Sequence, residues 1–239
     1  MRKRRLKYVI SFGLLGGICL YYGYRFGWPW LPLGFNLALC WLGLSLAYLT
    51  ENPSLLGKKL DGRLTCVSWL LYWPYVLLSL FGLRVLFAVT NESAVNKIRS
   101  SLYLGRRLSR DEYKSKLPAN LIAVVDLTAE FPEPKIGNSI RYLCIPTLDT
   151  LDMAFESMCD AVRFVIENST DGVVFIHCAS GHGRSATIAA AVLIATEDMS
   201  PNGAVAELKS LRLGVGLHPE QSDLLDRYWQ QLRASGREQ

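Results

Sequence analysis

Three stretches without a charged side chain fall in the first 90 residues: Tyr8–Tyr24, Phe26–Thr50 and Leu64–Leu83. A helix crossing a bilayer needs about 20 mostly apolar residues, with about 17 as the lower limit. This constrains the N-terminal part to a helical membrane region. The first span is expected over about 8–26, with Arg25 snorkelling to the interface. Trp28-Pro29-Trp30-Leu31-Pro32 reads as a turn carrying interfacial tryptophans, and residues 33–50 cross back to make a helical hairpin. The third apolar segment, about 64–88, holds Trp69, Trp73, Pro74 and Tyr75 in its middle, and Arg84 follows its charge-free part. Spanning, re-entrant and interfacial readings of it all stand.

The charge is divided unevenly. Residues 1–90 hold ten Lys and Arg against two Asp and Glu, a net of +8; residues 91–239 hold sixteen against nineteen, a net of −3. Basic residues beside apolar runs point to a membrane surface, and the C-terminal part has no basic face for nucleic acid. Three basic clusters flank the apolar runs: Met-Arg-Lys-Arg-Arg at the start, Lys58, Lys59 and Arg63, and Lys97 through Lys116. Two spans and a non-crossing third run put all three on the cytosolic side, as the positive-inside rule asks. The expectation is thus an integral membrane protein, with residues 91–239 forming a cytoplasmic catalytic domain. A cleaved signal peptide is the alternative for the first run, but no small-x-small cleavage site follows it.

From residue 91 onward the pattern is that of a globular α/β domain. Leu121–Asp126, Ile140–Ile145 and Val173–His177 read as strands. Asp152–Glu167, Ser185–Ala195, Pro201–Arg212 and Pro219–Leu232 read as helices. Alternating strands and helices imply a central, mostly parallel sheet flanked by helices. The six cysteines show no CxxC spacing and no disulfide framework, so free thiols are expected. Among them only Cys178 has neighbours that suggest chemistry.

Those neighbours run Val173-Val174-Phe175-Ile176-His177-Cys178-Ala179-Ser180-Gly181-His182-Gly183-Arg184-Ser185. A bare Cys-x5-Arg is a weak signal. Here a buried strand enters, two glycines sit inside the loop and a helix leaves after Arg184. Such a loop can turn its backbone N–H groups toward a tetrahedral oxyanion, and Gly181 and Gly183 would permit positive φ and close backbone approach. The helix N-terminus adds a potential that suits an anion, including an anionic sulfur at Cys178. The planar fork of Arg184 can hold two phosphoryl oxygens.

The segment from His177-Cys178 through Gly181, Arg184 and Ser185 resembles the signature of the cysteine-dependent protein tyrosine and dual-specificity phosphatases. The resemblance covers about residues 95–235. Tyr103-Leu104-Gly105 resembles an early strand of the dual-specificity members, and Ile145-Pro146-Thr147-Leu148-Asp149 their general-acid loop. Ala204-Val205 and Leu217-His218-Pro219-Glu220-Gln221 resemble the closing helices of members that act on phosphatidylglycerophosphate. The resemblance implies a phosphomonoester hydrolase working through a phosphocysteine on Cys178. Ala179, Ser180, Gly181, His182, Gly183 and Arg184 would bind the phosphoryl group. Asp149 would be the acid and then the base, Ser185 would stabilise the departing thiolate, and His177 would support the loop. Neither metal nor cofactor is implied; the implied partners are a phosphorylated protein or phospholipid and the bilayer.

Simpler readings exist for several of these residues. Asp149 would serve as the cap of a helix starting near Thr150, and Asp152 competes with it for the acid role. Asp126 at a strand end reads as structural, His182 as a solvent-facing spacer, Gln221 as a surface residue, and Arg106-Arg107-Leu108-Ser109-Arg110 as a solvated face. A Trp-Pro-Asp acid loop is absent and the phosphate loop has no lysine, which disfavours a deep phosphotyrosine pocket and a highly charged inositol headgroup. A rhodanese-like sulfurtransferase and a catalytically silent phosphate-binding membrane protein are the two rival functions.

Overall fold

The structure is a computed structural model; it describes residues 3–137 and 139–235, so Met1 and Arg2 of the first basic cluster lie outside it. Helices α1 (Lys3–Phe26), α2 (Trp30–Thr50) and α3 (Cys66–Thr90) are 24, 21 and 25 residues long, each long and apolar enough to cross a membrane. Helix α2 begins at Trp30, so Pro32 lies in its first turn rather than in the connecting turn. The missing N–H costs nothing there, because first-turn N–H groups have no intrahelical partner. Helices α1 and α2 cross where Gly23 meets Gly34: a Cβ built on Gly34 would lie 2.5 Å from the Gly23 Cα. Small residues at a crossing let apolar helices approach closely.

Pro74 lies inside α3. A proline there cannot donate to the carbonyl four residues earlier, which is that of Leu70. Asn36 of α2 takes this carbonyl instead, its Nδ2 donating at 3.0 Å, while its Oδ1 accepts from Trp73 Nε1 at 3.0 Å. The freed backbone group is thereby satisfied between two apolar helices.

The C-terminal part is the mostly parallel sheet expected. Strands β1 (Val95–Lys97), β2 (Leu102–Arg106), β3 (Leu121–Thr128), β4 (Arg141–Thr147) and β5 (Val173–Cys178) lie in the order β1-β2-β5-β3-β4, with only β1 antiparallel to its neighbour. Strand β5 is central and buried throughout, as its run of Val, Phe and Ile requires. Helices α5 (Phe155–Ser169), α6 (Arg184–Glu197), α7 (Pro201–Leu211) and α8 (Pro219–Ser235) supply the main core on one face. The short α4 (Arg110–Lys116), fixed by a Ser109/Glu112 capping box, covers the other face through Tyr113, which packs on Phe175.

A further apolar cluster joins the N-terminal helices to this domain. Cys40, Leu44 and Tyr48 of α2, Tyr72 and Val76 of α3, and Leu56 and Leu64 between them bury with Ala129, Phe131 and Leu148. The α2–α3 connection contributes more than apolar contact. Lys58, part of the second basic cluster, is not at the membrane surface: it is fully buried and ion-paired with Asp126 of β3 at 2.5 Å. Thr128 and Tyr142 complete the shell, Lys58 Nζ reaching Thr128 Oγ1 at 2.7 Å and Tyr142 Oη donating to Asp126 at 2.7 Å. Burial alone would raise the Asp126 pKa; the Lys58 ammonium overcomes it and holds the carboxyl well below its usual range.

Candidate active site

Cys178 ends β5, and the chain turns through Ala179–Gly183 into the first residue of α6, Arg184. Cys178 is 2% exposed, and its sulfur accepts from the Gly181 N–H and the Ser185 hydroxyl, each at 3.2 Å. Gly181 has φ +81°, and a Cβ there would stand 2.6 Å from the Gly105 backbone of β2. Both conformation and space therefore demand glycine. Gly183 differs from the sequence expectation: its φ is −111°, and what it allows is close approach of Gln221, whose Oε1 would lie 3.2 Å from an added Cβ. Gln221 is thus a buried residue rather than a surface one.

Two arginines hold the loop, and the sequence pointed to one. Arg184 is 2% exposed. Glu130 takes it in a two-pronged pair at 2.8 and 3.0 Å, the Thr147 carbonyl accepts from Nη1 at 2.7 Å, and Asp149 Oδ1 lies 3.2 Å from Nη2. Burial opposes its charge, but the neighbouring carboxylates of Glu130 and Asp149 raise its pKa. Its Nε is buried with no hydrogen-bond partner among the described residues. The guanidinium fork is therefore largely engaged by Glu130, rather than open in full as the sequence suggested. Arg212, which the sequence left at a helix end, is as deeply buried. It donates to the carbonyls of Ser180 and Gly181 at 2.8 and 3.1 Å, and to Ser93 and Asn96 at 2.7 Å each. Tying loop carbonyls outward helps leave the loop N–H groups facing inward. Glu92 bridges Arg212 and His182, at 3.3 and 2.6 Å, so His182 is a partnered loop residue rather than a solvent spacer.

His177 is fully buried. Its Nδ1 lies 3.4 Å from the Cys178 carbonyl and its Nε2 3.5 Å from Glu133 Oε2. Burial pushes His177 down to about 4, and burial together with the Asp126 charge pushes Glu133 up to about 8. Asp126, Glu133 and His177 bring three ligand atoms within 4.8 Å of one another, but the Lys58 ammonium already supplies the cation of that cluster.

Asp149 does not cap a helix. Thr150 has φ +64°, and α5 starts only at Phe155 with Ala154 as its cap residue. Asp149 lines a cavity of about 340 Å³ together with Glu130, Ala179, Ser180 and His182. Asp152 faces a different one, beside Glu51 and Pro146. The wall opposite the loop in the Asp149 cavity is α3, through Tyr75, Ser79, Gly82, Leu83 and Leu86. Glu130, Arg212 and this wall carry no local sequence motif.

Residues 102–231 match the family "Dual specificity phosphatase, catalytic domain", and the chain belongs to that family. It is 32% identical over 129 residues to Dual specificity protein phosphatase Mpk3 of Drosophila melanogaster, covering 52% of this chain and 31% of that one. It is 35% identical over 91 residues to human Phosphatidylglycerophosphatase and protein-tyrosine phosphatase 1, covering 38% of this chain and 42% of that one. The chain thus spans less than half the length of these two relatives. The crystal structure of PTPMT1 in complex with PI(5)P shares the fold, with a TM-score of 0.55 at 20% identity over 60% of this chain and 99% of that one. The family match decides for a phosphatase domain over a sulfurtransferase.

Proposed function

We propose that this protein is a membrane-anchored, cysteine-dependent phosphatase that hydrolyses phosphomonoesters of membrane phospholipids or membrane-near phosphoproteins. The observation that carries the reading is the placement of the Cys178 sulfur under two donors, with Arg184 clamped beside the same loop. In the first step the sulfur attacks phosphorus, the S–P bond forms, and the P–O bond to the leaving alcohol breaks as Asp149 gives that oxygen a proton. In the second, water attacks phosphorus, Asp149 takes its proton, and the S–P bond breaks with the Ser185 hydroxyl donating to the departing thiolate. The unpartnered Nε–H of Arg184, and the Nη2 that Asp149 touches, are the donors left for equatorial oxygens; a buried N–H without a partner in the free protein is explained by a ligand that supplies one.

The anchor is supported by the outer faces of α1–α3, where Leu14, Tyr24, Leu70 and Val89 are more than 60% exposed. Apolar patches of that extent belong against lipid. A tethered site meets bilayer substrates at high effective concentration. The basic flanks favour a cytoplasmic catalytic domain. The test is turnover of p-nitrophenyl phosphate by full-length protein in detergent, with acid quench and mass spectrometry for phosphocysteine. Turnover that survives Cys178→Ser would refute the reading.

A further inference from the structure

Glu92 precedes the stretch 102–231 that matches the family, and it follows Asn91, the left-handed residue that ends α3. Its side chain nevertheless ends on the catalytic loop. Oε2 accepts from His182 Nε2 at 2.6 Å, and Oε1 lies 3.3 Å from Arg212 Nε. A carboxylate has no proton to give, so Nε2 carries the one in this contact. The chain after Glu92 grips the same guanidinium: the Ser93 carbonyl and Asn96 Oδ1 accept from Arg212 Nη1, while Nη2 and Nε reach the Ser180 and Gly181 carbonyls. His182 is the one residue between Gly181 and Gly183, which give the loop little stiffness of its own. It is held at both ends. Its carbonyl accepts from the Gly216 N–H at 3.2 Å, and its ring lies over Gly214, where an added Cβ would stand 2.2 Å from Nε2. Gly214 is outside the left-handed region, so the ring alone demands glycine there. His182 also lines the catalytic cavity with Asp149 and Ser180.

We propose that Glu92 is a positioning residue for the reaction: through the His182 ring and the Arg212 guanidinium it holds Ser180–Gly183 in the shape that receives the transferring phosphoryl group, and it ties that shape to the end of α3. This rests on the phosphatase reading above. A misplacement of about 1 Å in such a loop costs about 10²-fold in rate, so a brace on the residue between two glycines bears directly on turnover. Glu92 acts through other residues and touches neither the sulfur nor the leaving group. Its loss should therefore weigh equally on good and poor leaving groups.

The test uses full-length protein in detergent and three readouts: kcat/KM on p-nitrophenyl phosphate, the Ki of vanadate, which takes up the five-coordinate shape of the transferring phosphoryl group, and the denaturation midpoint. Glu92→Ala is expected to lower kcat/KM by about tenfold or more and to raise the vanadate Ki by a similar factor, since it removes a hydrogen bond to a charged group. Glu92→Gln keeps an acceptor for His182 and should recover part of both. Glu92→Ala also strands the buried Arg212 charge, which burdens folding. Gly214→Ala is therefore the second variant: it displaces the ring and leaves Glu92 and Arg212 in place. It should lower kcat/KM and weaken vanadate together, with a denaturation midpoint close to that of the unmodified protein. A vanadate Ki unchanged in Gly214→Ala, or a loss in Glu92→Ala that Glu92→Gln does not relieve and that follows the denaturation midpoint alone, would overturn the proposal. Absence of p-nitrophenyl phosphate turnover in the unmodified protein would instead refute the phosphatase reading itself.

Discussion

The hydroxyl of Tyr48, in the second apolar helix, donates to the main-chain carbonyl of Asp149 at 3.2 Å across 101 residues of sequence. Leu148 and Leu151, on either side of Asp149, pack into the same α2–α3 cluster as Tyr48. The loop that carries the proposed acid is therefore mounted on the apolar helices rather than on the sheet alone.

Tyr48→Phe removes that hydrogen bond while keeping the ring. A typical bond contributes about 1 kcal/mol, so a loss of roughly fivefold in kcat is expected on alkyl phosphates. The loss should be smaller on p-nitrophenyl phosphate, whose leaving group needs little protonation. Equal losses on good and poor leaving groups would show that Tyr48 only supports the fold.

Replacement of Asp149 by alanine is expected to lower kcat by about 10²–10⁴ on alkyl phosphates and to abolish the basic limb of the pH–kcat profile. Asp152→Ala should leave both close to the unmodified protein. A profile that responds to Asp152 and not to Asp149 would transfer the acid role.

Loss of Lys58 strands the fully buried Asp126 carboxylate. Breaking a buried pair by removing one partner costs about 3–5 kcal/mol, so Lys58→Met should lower the denaturation midpoint strongly. Asp126→Asn on the same background should restore part of it. Residues 91–239 alone lack Lys58, Leu56 and Tyr48, and are expected to unfold more readily than the full chain. Equal chemical stability of the fragment and the full chain would refute the coupling.

His177 and Glu133 give stability opposite slopes with pH. The folded His177 pKa, about 4, lies below its ordinary value, so the unfolded chain binds more protons between about 4 and 6.5, and stability falls as pH drops through that window. Glu133, at about 8, lies above its ordinary value, so the folded protein holds the extra proton, and stability falls as pH rises from about 4.5 to 8. Thermal melts across this range should therefore show a maximum on the acid side of neutrality. Glu133→Gln keeps a neutral side chain at every pH and should flatten the basic slope. A melting profile unchanged by that substitution would dispose of this account.

The elements readable in the sequence were those whose signals are local. The β-branched run before Cys178, the glycine at 181 and the alanine-rich stretch after Arg184 specify strand, turn and helix within one continuous segment, 173–191, and the apolar runs specify α1–α3. What stayed hidden is held by distant partners. Glu130 meets Arg184 across 54 residues, Arg212 meets Ser180 across 32, and Lys58 meets Asp126 across 68. No periodicity encodes such pairs. Leu151 and Phe155 have helical spacing, which points to a helix start near Asp152, whereas Leu151 belongs to the α2–α3 cluster and the left-handed Thr150 turns the chain before α5 begins at Phe155. Lys58 reads as a membrane-flanking cation in the sequence because net charge along the chain does not distinguish a lysine in solvent from one sealed against a carboxylate.

Asn36 donates to the Leu70 carbonyl that Pro74 leaves open and accepts from the Trp73 indole beside it, and in doing so ties one face of α3 to α2. Rotation of α3 about its axis would break both bonds and move Ser79 and Gly82 away from the cavity they line with Ala179, Ser180 and His182 of the catalytic loop. One amide between two apolar helices thus helps to place the wall that faces the catalytic loop, without touching the loop itself.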